Sequence, residues 1–186
     1  YDVSILMVRE PLSGGEFVAR RIARSEIILA ASPEYLAARG RPKDPQALMH
    51  HDMLLPSLAS VRRDVVFQRG YFGDDEPQGE LLTLKPHTPV LASSHVDTLY
   101  AAALAHMGVA GLPSFVVADA LLEHALERVL PEWQLFHLNL YAAMPTRKHV
   151  PARTRAFVDF LVQTFGGGQH DPWLVAAGCP TVSAPN

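Results

Sequence analysis

A chain of 186 residues has room for one domain of ordinary size or for two small lobes sharing a chain, and 48% hydrophobic against 19% charged residues excludes a largely disordered body. A net charge of −3 excludes strong electrostatic attraction of this chain alone to phosphate backbones. A single cysteine, Cys179, excludes an internal disulfide and fits a reducing compartment, although mature periplasmic receptors can also lack disulfides. No apolar run approaches the ~18 residues of a membrane span, and the first residues lack the charged start and apolar stretch of a signal peptide. A soluble chain is expected.

Residues 1–8 form a near-continuous apolar run, which suits a buried parallel strand covered on both faces. Domains seldom open in a central strand without a lead-in, so the sequence predicts that the chain starts inside a larger domain. A second strand is expected over 27–31. It ends at Ser32, where Ser as N-cap, Pro33 at the first helical position and Gly40 as the stop mark a helix over 33–39. Asp44 and Pro45 begin another short helix in the same way. From Met53 to Ala92 the texture changes to short β-like runs over 64–69, 80–84 and 89–92, with an exposed turn over 73–77, consistent with a second lobe.

Ser94 is read as the cap of a helix that puts Val96, Leu99, Tyr100, Ala103, Leu104 and Met107 on one face, with Asp97 completing a variant capping box and Gly108 ending it. A strand over 109–112 leads through Pro113 to Ser114 and a helix over 115–124. Strands near 128–130 and 138–142 precede a last helix over 151–165, with Phe157, Phe160, Leu161 and Phe165 on one stripe. The glycines at 166–168 are read as ending order, leaving a loose tail over 166–186 in which Trp173 and Cys179 have no evident role. No internal repeat is present.

Ser32, Ser94 and Ser114 share one design, in which an apolar strand ends, a serine follows and a helix begins. Ligands of open α/β sheets bind beyond the carboxyl ends of strands, where a helix start offers free N–H groups and the positive end of its dipole. If the three starts converge on one cleft, an anionic or carbonyl-bearing ligand fits there; taken singly, each serine is an ordinary N-cap. Ser93, Ser94, His95 and Asp97 contain the residue types of a hydrolytic triad, but neighbours on one turn cannot point together as nucleophile, base and orienter. No Gly-x-Ser-x-Gly elbow and no glycine-rich phosphate loop occur. His50, His51 and Asp52 point in different directions and lack a second ligand cluster, so they read as a solvated helix end rather than a metal site. The basic residues at 147–149, with Arg153 and Arg155, read as surface. Neither a catalytic constellation, nor a cofactor, nor a metal is expected.

Three segments, Ser32-Pro-Glu-Tyr-Leu-Ala-Ala-Arg-Gly40, Ala101-Ala-Ala-Leu-Ala-His-Met-Gly-Val-Ala-Gly-Leu-Pro113 and Pro151-Ala-Arg-Thr-Arg-Ala-Phe-Val-Asp-Phe-Leu161, resemble in order and spacing the effector-binding domain of LysR-type transcriptional regulators. Tyr1-Asp-Val-Ser-Ile5, Arg128-Val-Leu-Pro-Glu-Trp133 and Leu140-Tyr-Ala-Ala-Met-Pro145 extend the resemblance over residues 1 to about 165. Each motif alone is weak, and the ordered set is specific. It implies an α/β fold like type 2 periplasmic binding proteins, with two Rossmann-like lobes joined by two crossing strands. Lobe I would hold 1–32 and 114–165, lobe II 33–113, with crossings near 31–33 and 112–114. The strand, helix, strand and helix that open the family's lobe I have no counterpart after Tyr1.

The resemblance further implies a cytoplasmic transcription factor's sensing domain. It would bind a small-molecule effector such as a carboxylate or aromatic acid, work in a homodimer or tetramer, and reach DNA only through a winged helix-turn-helix outside this chain, without a membrane partner. Carried over position by position, the pocket would be built from Val8, Arg9 and Glu10 after the first strand, from Ser32 and Pro33 at the first crossing, from Ser93, Ser94, His95 and Val96 at the lobe II helix start, and from Pro113, Ser114 and Phe115 at the second crossing. Arg9 is the partner expected for a carboxylate. The alternative is a periplasmic solute-binding receptor of a transporter, the same architecture in another compartment; a secretory leader upstream would favour it and an upstream helix-turn-helix would exclude it.

Overall fold

A computed structural model describes residues 2–10, 12, 17–57, 64–69, 79–87, 89–145, 150–168 and 170–179. In chain order the elements are β1 (Ser4–Val8), β2 (Val18–Ala31), α1 (Pro33–Arg39), α2 (Pro45–Leu48), β3 (Met53–Pro56), β4 (Val65–Arg69), β5 (Glu80–Leu84), β6 (Leu91–Ser93), α3 (Val96–Leu104), β7 (Val109–Pro113), α4 (Ser114–Leu122), β8 (Glu127–Val129), β9 (Trp133–Gln134), β10 (Phe136–Met144), α5 (Ala152–Phe165), a 3-10 turn (Gly166–Gly168) and α6 (Pro172–Ala176).

The 14-residue strand β2 organises the larger, seven-stranded sheet, whose order is β1-β10-β2-β7-β3-β6 with β8 also paired to β2. Its first half pairs antiparallel with β10, from Val18 opposite Met144 to Ile27 opposite Phe136. Its second half pairs with β7, from Ile27 opposite Pro113 to Ala30 opposite Ala110, and with β8. The changeover therefore falls at Ile27, upstream of the Ser32 junction. Beyond β7 the sheet turns parallel, through β3 to β6. A second sheet, β5-β4-β9, is antiparallel.

Alternation along β2 divides the interior. Ile28 and Ala30 join Leu54, Leu112, Val117 and Ala120 in one buried cluster; Leu29 and Ala31 join Tyr35, Leu36, Leu48, Met53 and Phe67 in another on the opposite face. A third cluster packs Val158 of α5 onto Ile22, Ala23, Leu140 and Ala142.

The helix over 33–39 and the short helix after Asp44 form as their caps predict: the Ser32 hydroxyl accepts from Tyr35 N at 3.2 Å and the Asp44 carboxylate from Ala47 N at 2.6 Å. Such a bond contributes about 1 kcal/mol. Other expectations change. The first strand is an antiparallel edge strand, with Ile5 and Met7 50% and 55% exposed, rather than a buried parallel one. Strand structure runs from Val18 through Arg20, Arg21, Arg24 and Glu26, charges that hid it from a hydrophobic pattern.

The third and fourth helices start one step later and one step earlier than expected. His95, not Ser94, is the N-cap of α3, and no side chain caps it; the Ser93 hydroxyl accepts from His95 N at 3.0 Å, and α3 ends at Leu104, leaving Met107 exposed. Pro113 is the N-cap of α4, which makes Ser114 its first helical residue. On α5, Phe157 and Phe160 face outward at 49% and 60% exposure, and Thr154 and Val158 take the inner positions. The expected stripe holds at Leu161 and Phe165, which pack on the third cluster, and fails at Phe157 and Phe160.

The tail also differs from the expectation of looseness. Asp171 caps α6, its carboxylate accepting from Trp173 N and Leu174 N at 3.0 Å each and from Glu26 N on β2 at 2.6 Å. Leu174 is fully buried, and Trp173 stacks against Phe115 and Phe165. Cys179 packs at the edge of the same cluster. The expected turn over 73–77, the basic residues 147–149 and the tail from 180 lie outside the described residues.

Candidate functional site: an apolar cavity at the strand changeover

A cavity of about 280 Å³ opens where β2 changes partners. Its floor is the seven-stranded sheet, presented by Ile27, Leu29, Gly111 and Pro113. Leu135, Phe136 and Leu138 close it from the β10 side, and Met53, Leu55, Pro56, Asp64, Val65 and Val66 from β3 and the start of β4. Ser93, Ser94, Val96 and Leu99 contribute the remaining wall.

The lining is almost wholly apolar, and its charged groups are Arg9 and Asp64, both on exposed residues. The Arg9 guanidinium lies over the Phe136 ring at 4.9 Å, which holds a cation beside apolar surface while leaving its N–H groups for a partner. Such a cavity takes a small molecule with an apolar body, oriented by a few polar groups. Among the described residues, no group of His, Cys, Asp or Glu side chains could hold a metal ion.

Of the residues picked out in the sequence, Arg9, Ser93, Ser94, Val96 and Pro113 line the cavity. Val8 does not; it lies opposite Asn139, on the other face of the sheet from Arg9 and Phe136. Glu10 is exposed outside it, and His95 serves as the end of a helix. The convergence of three serine-led helix starts does not occur. Ser32 is fully buried beneath α1, its hydroxyl 2.8 Å from His106 Nδ1, and Pro33 begins that helix away from the cavity. Ser114 is fully buried against Ser25, hydroxyl to hydroxyl at 2.7 Å, and Phe115 packs on Trp173. These serines hold β2 to its neighbours.

The His50–Asp52 segment is likewise structural. The Tyr35 hydroxyl accepts from Asp52 N at 2.9 Å and lies 3.3 Å from His51 Nδ1, while Arg39 pairs with Asp52 at 3.0 Å. Burial, with Arg39 nearby, holds His51 below the ordinary imidazole range. Beneath the sheet lies one further charged group. Glu26, on the face of β2 turned from the cavity, meets Arg128 at 3.4 Å with both side chains nearly inaccessible, and burial pushes its carboxyl up to about 7 from 4.5 against the pull of Arg128. Sequence reasoning missed Ile27, Leu29, Gly111, Leu135 and Phe136, which read as plain strand residues; only the pairing of β2 with both β7 and β10 gathers them.

A mixed sheet with a cavity at its changeover and helices packed about it defines the class: the sequence matches the LysR substrate binding domain family over residues 1–166, and the chain belongs to that family. Among curated relatives, the chain is 30% identical over 142 residues to the probable HTH-type transcriptional regulator LtrA of Klebsiella pneumoniae, covering 74% of this chain and 42% of that protein. It is 30% identical over 155 residues to the HTH-type transcriptional regulator DmlR of Escherichia coli K12, covering 83% and 47%. The chain thus spans about half the length of the curated relatives it matches.

Among solved structures, the regulatory domain of CrgA, a LysR-type transcriptional regulator of Neisseria meningitidis, superposes with a TM-score of 0.64 at 25% identity, covering 86% of this chain and 74% of that one. The regulatory domain of AphB from Vibrio vulnificus superposes with a TM-score of 0.69 at 21% identity, covering 88% and 74%, and supports the periplasmic-binding-protein-like fold. No helix among the described residues is long and apolar enough to cross a membrane.

Proposed function

We propose that this chain is the ligand-sensing part of a LysR-type transcriptional regulator, and that its effector is a small molecule with an apolar body and one acidic group, such as an aromatic acid. The observation that carries this reading is the apolar cavity at the changeover of β2, with Arg9 at its edge. The apolar walls supply affinity by burial, and Arg9 reads the acidic group with charge-assisted hydrogen bonds. Ser93 and Ser94 also line the cavity, where a hydroxyl can orient the same ligand.

In this reading two lobes, 1–32 with 114–165 and 33–113, close about the ligand, and the whole protein acts as a homodimer or tetramer in the cytoplasm, reaching DNA through a helix-turn-helix domain. Chemistry on the ligand is not required. A ligand shifts the arrangement of the lobes only as far as it binds one arrangement better than the other. The relatives named above, all transcriptional regulators, favour this over the transporter receptor.

The test is a thermal-shift screen of aromatic and aliphatic carboxylates, repeated on Arg9→Gln. A ligand at about 100 times its Kd stabilises the folded chain by roughly 2.7 kcal/mol. The expected result is stabilisation of the parent chain that Arg9→Gln loses; hits that bind the variant equally well would remove Arg9 from the site.

A further inference from the structure

Gly111 sits in the middle of β7, paired with Leu29 of β2, in the floor of the cavity. A glycine in a strand interior weakens the strand and calls for a reason. The usual reasons are absent. Gly108 needs its bare Cα, because a Cβ there would lie 2.2 Å from the Asp52 carbonyl oxygen, and Gly168 has φ of +90° with the Arg21 side chain 2.6 Å from a Cβ position. Of the described glycines, Gly111 alone has neither a positive φ nor a close contact to account for it. A Cβ built on it would meet Leu135 Cδ1 at 3.4 Å and Ile27 Cγ2 at 4.0 Å, which is ordinary packing distance. What the missing side chain leaves is space, and that space belongs to the cavity.

We propose that Gly111 is the size-determining residue of the ligand site: the bare backbone at the floor receives the deepest part of the ligand, an apolar ring edge or chain end without polar atoms. This rests on the reading of the cavity as the effector site. The neighbours of Gly111, Ile27, Leu29 and Pro113 in the floor and Leu135 in the wall, offer that part of the ligand no hydrogen-bonding side chain. The acidic group sits at the other end, with Arg9. The ligand's length is then read between two fixed points, a cation at the edge and a missing side chain at the floor. Any larger residue at 111 occupies the volume the ligand needs while leaving the charge contact intact.

The test uses the full 186-residue chain and a series of probes, benzoate and 4-alkylbenzoates from methyl to butyl, titrated by calorimetry. In the parent chain, affinity is expected to rise about fourfold per methylene as the alkyl group fills the floor. In Gly111→Leu, benzoate should bind within about twofold of the parent, whereas 4-butylbenzoate should lose about fifteenfold, the binding equivalent of two buried methylenes. Gly111→Ala, whose Cβ fits at contact distance, should fall between. An equal loss for all probes in the folded variants, or no loss for any, overturns the assignment. Unfolding of Gly111→Ala would overturn it too, because the fold itself would then require the glycine. Should no probe bind the parent chain, the acidic-ligand reading of the cavity falls first and takes Gly111 with it, an outcome seen before any variant is made.

Discussion

The two faces of β2 carry opposite chemistry within a few residues. On one face Ile27 and Leu29 look into an open apolar cavity whose charges stand at its edge; on the other Glu26 meets Arg128 in a closed, charged interior, and Ile28 and Ala30 continue into tightly packed core. An open apolar surface is an unfinished core that a ligand can complete. The buried Glu26–Arg128 pair is already engaged inside the protein and closed to solvent, and offers little to a newcomer. The comparison therefore separates residues that hold the changeover of β2 in place from residues that await a partner, and function belongs to the second group.

The sharpest way to break that division is to truncate neighbouring side chains on the two faces. Ile28→Ala should cost about 3–5 kcal/mol, because a fully buried side chain leaves a void in a packed cluster. Leu29→Ala should fall nearer 2 kcal/mol, since space already adjoins Leu29 and fewer contacts are lost. Denaturant unfolding of both variants measures the gap. Equal losses would mean that the cavity wall is as tightly packed as the core, and the distinction between the two faces would be lost.

What the sequence made legible follows the same line. Signals that act within a turn were readable: the Ser32 and Asp44 caps bond to amides three residues on, so the composition of a short segment states the outcome. Strand β2 was only half readable. The partners that let charged residues sit in it come from far along the chain, with Asp159 for Arg20, the Gly167 carbonyl for Arg21 and Arg128 for Glu26. The same distance hid the cavity. Arg9, Ser94 and Pro113 were reached through family resemblance, but the floor at Gly111 and the wall at Leu135 and Phe136 exist only once β7 and β10 flank β2. Ser114 shows the limit of reading a serine as a cap: it is the first helical residue rather than the cap, and its hydroxyl bonds Ser25, 89 positions earlier in the chain.

The charged face can be sharpened by pH. Burial raises the Glu26 carboxyl to about 7 in the folded chain from 4.5, so the folded state holds its proton over a range in which the unfolded state has released it. Stability from this group is fully present below pH 4.5, falls as pH rises towards 7, and is level above; the whole change is about 3 kcal/mol. Glu26→Gln should remove that slope, and the difference between parent and variant at each pH isolates Glu26 from histidines titrating in the same range. An unchanged difference from pH 5 to 8 would show that Glu26 is ionised throughout, with Arg128 and Arg24 outweighing burial and the nearby Asp171.

The smallest effect tests how the tail joins this face. Asp171 is buried and its carboxylate accepts from Glu26 N, Trp173 N and Leu174 N, so it ties α6 to β2 at the changeover. Asp171→Asn keeps the shape but replaces one of the two accepting oxygens with an NH2 group, so either the Glu26 N bond or the Trp173 and Leu174 bonds lose their acceptor, a loss of about 1–2 kcal/mol. The consequence should be local. Amide exchange should quicken over 170–179, and the Trp173 environment between Phe115 and Phe165 should loosen, while β2 and β10 retain their protection. Loss of protection along β2 as well would place Asp171 among the residues that hold the cavity floor, and ligand affinity would then fall with it. Preserved affinity in a chain with a loosened tail would show that the closed charged face and the open apolar face of β2 work independently.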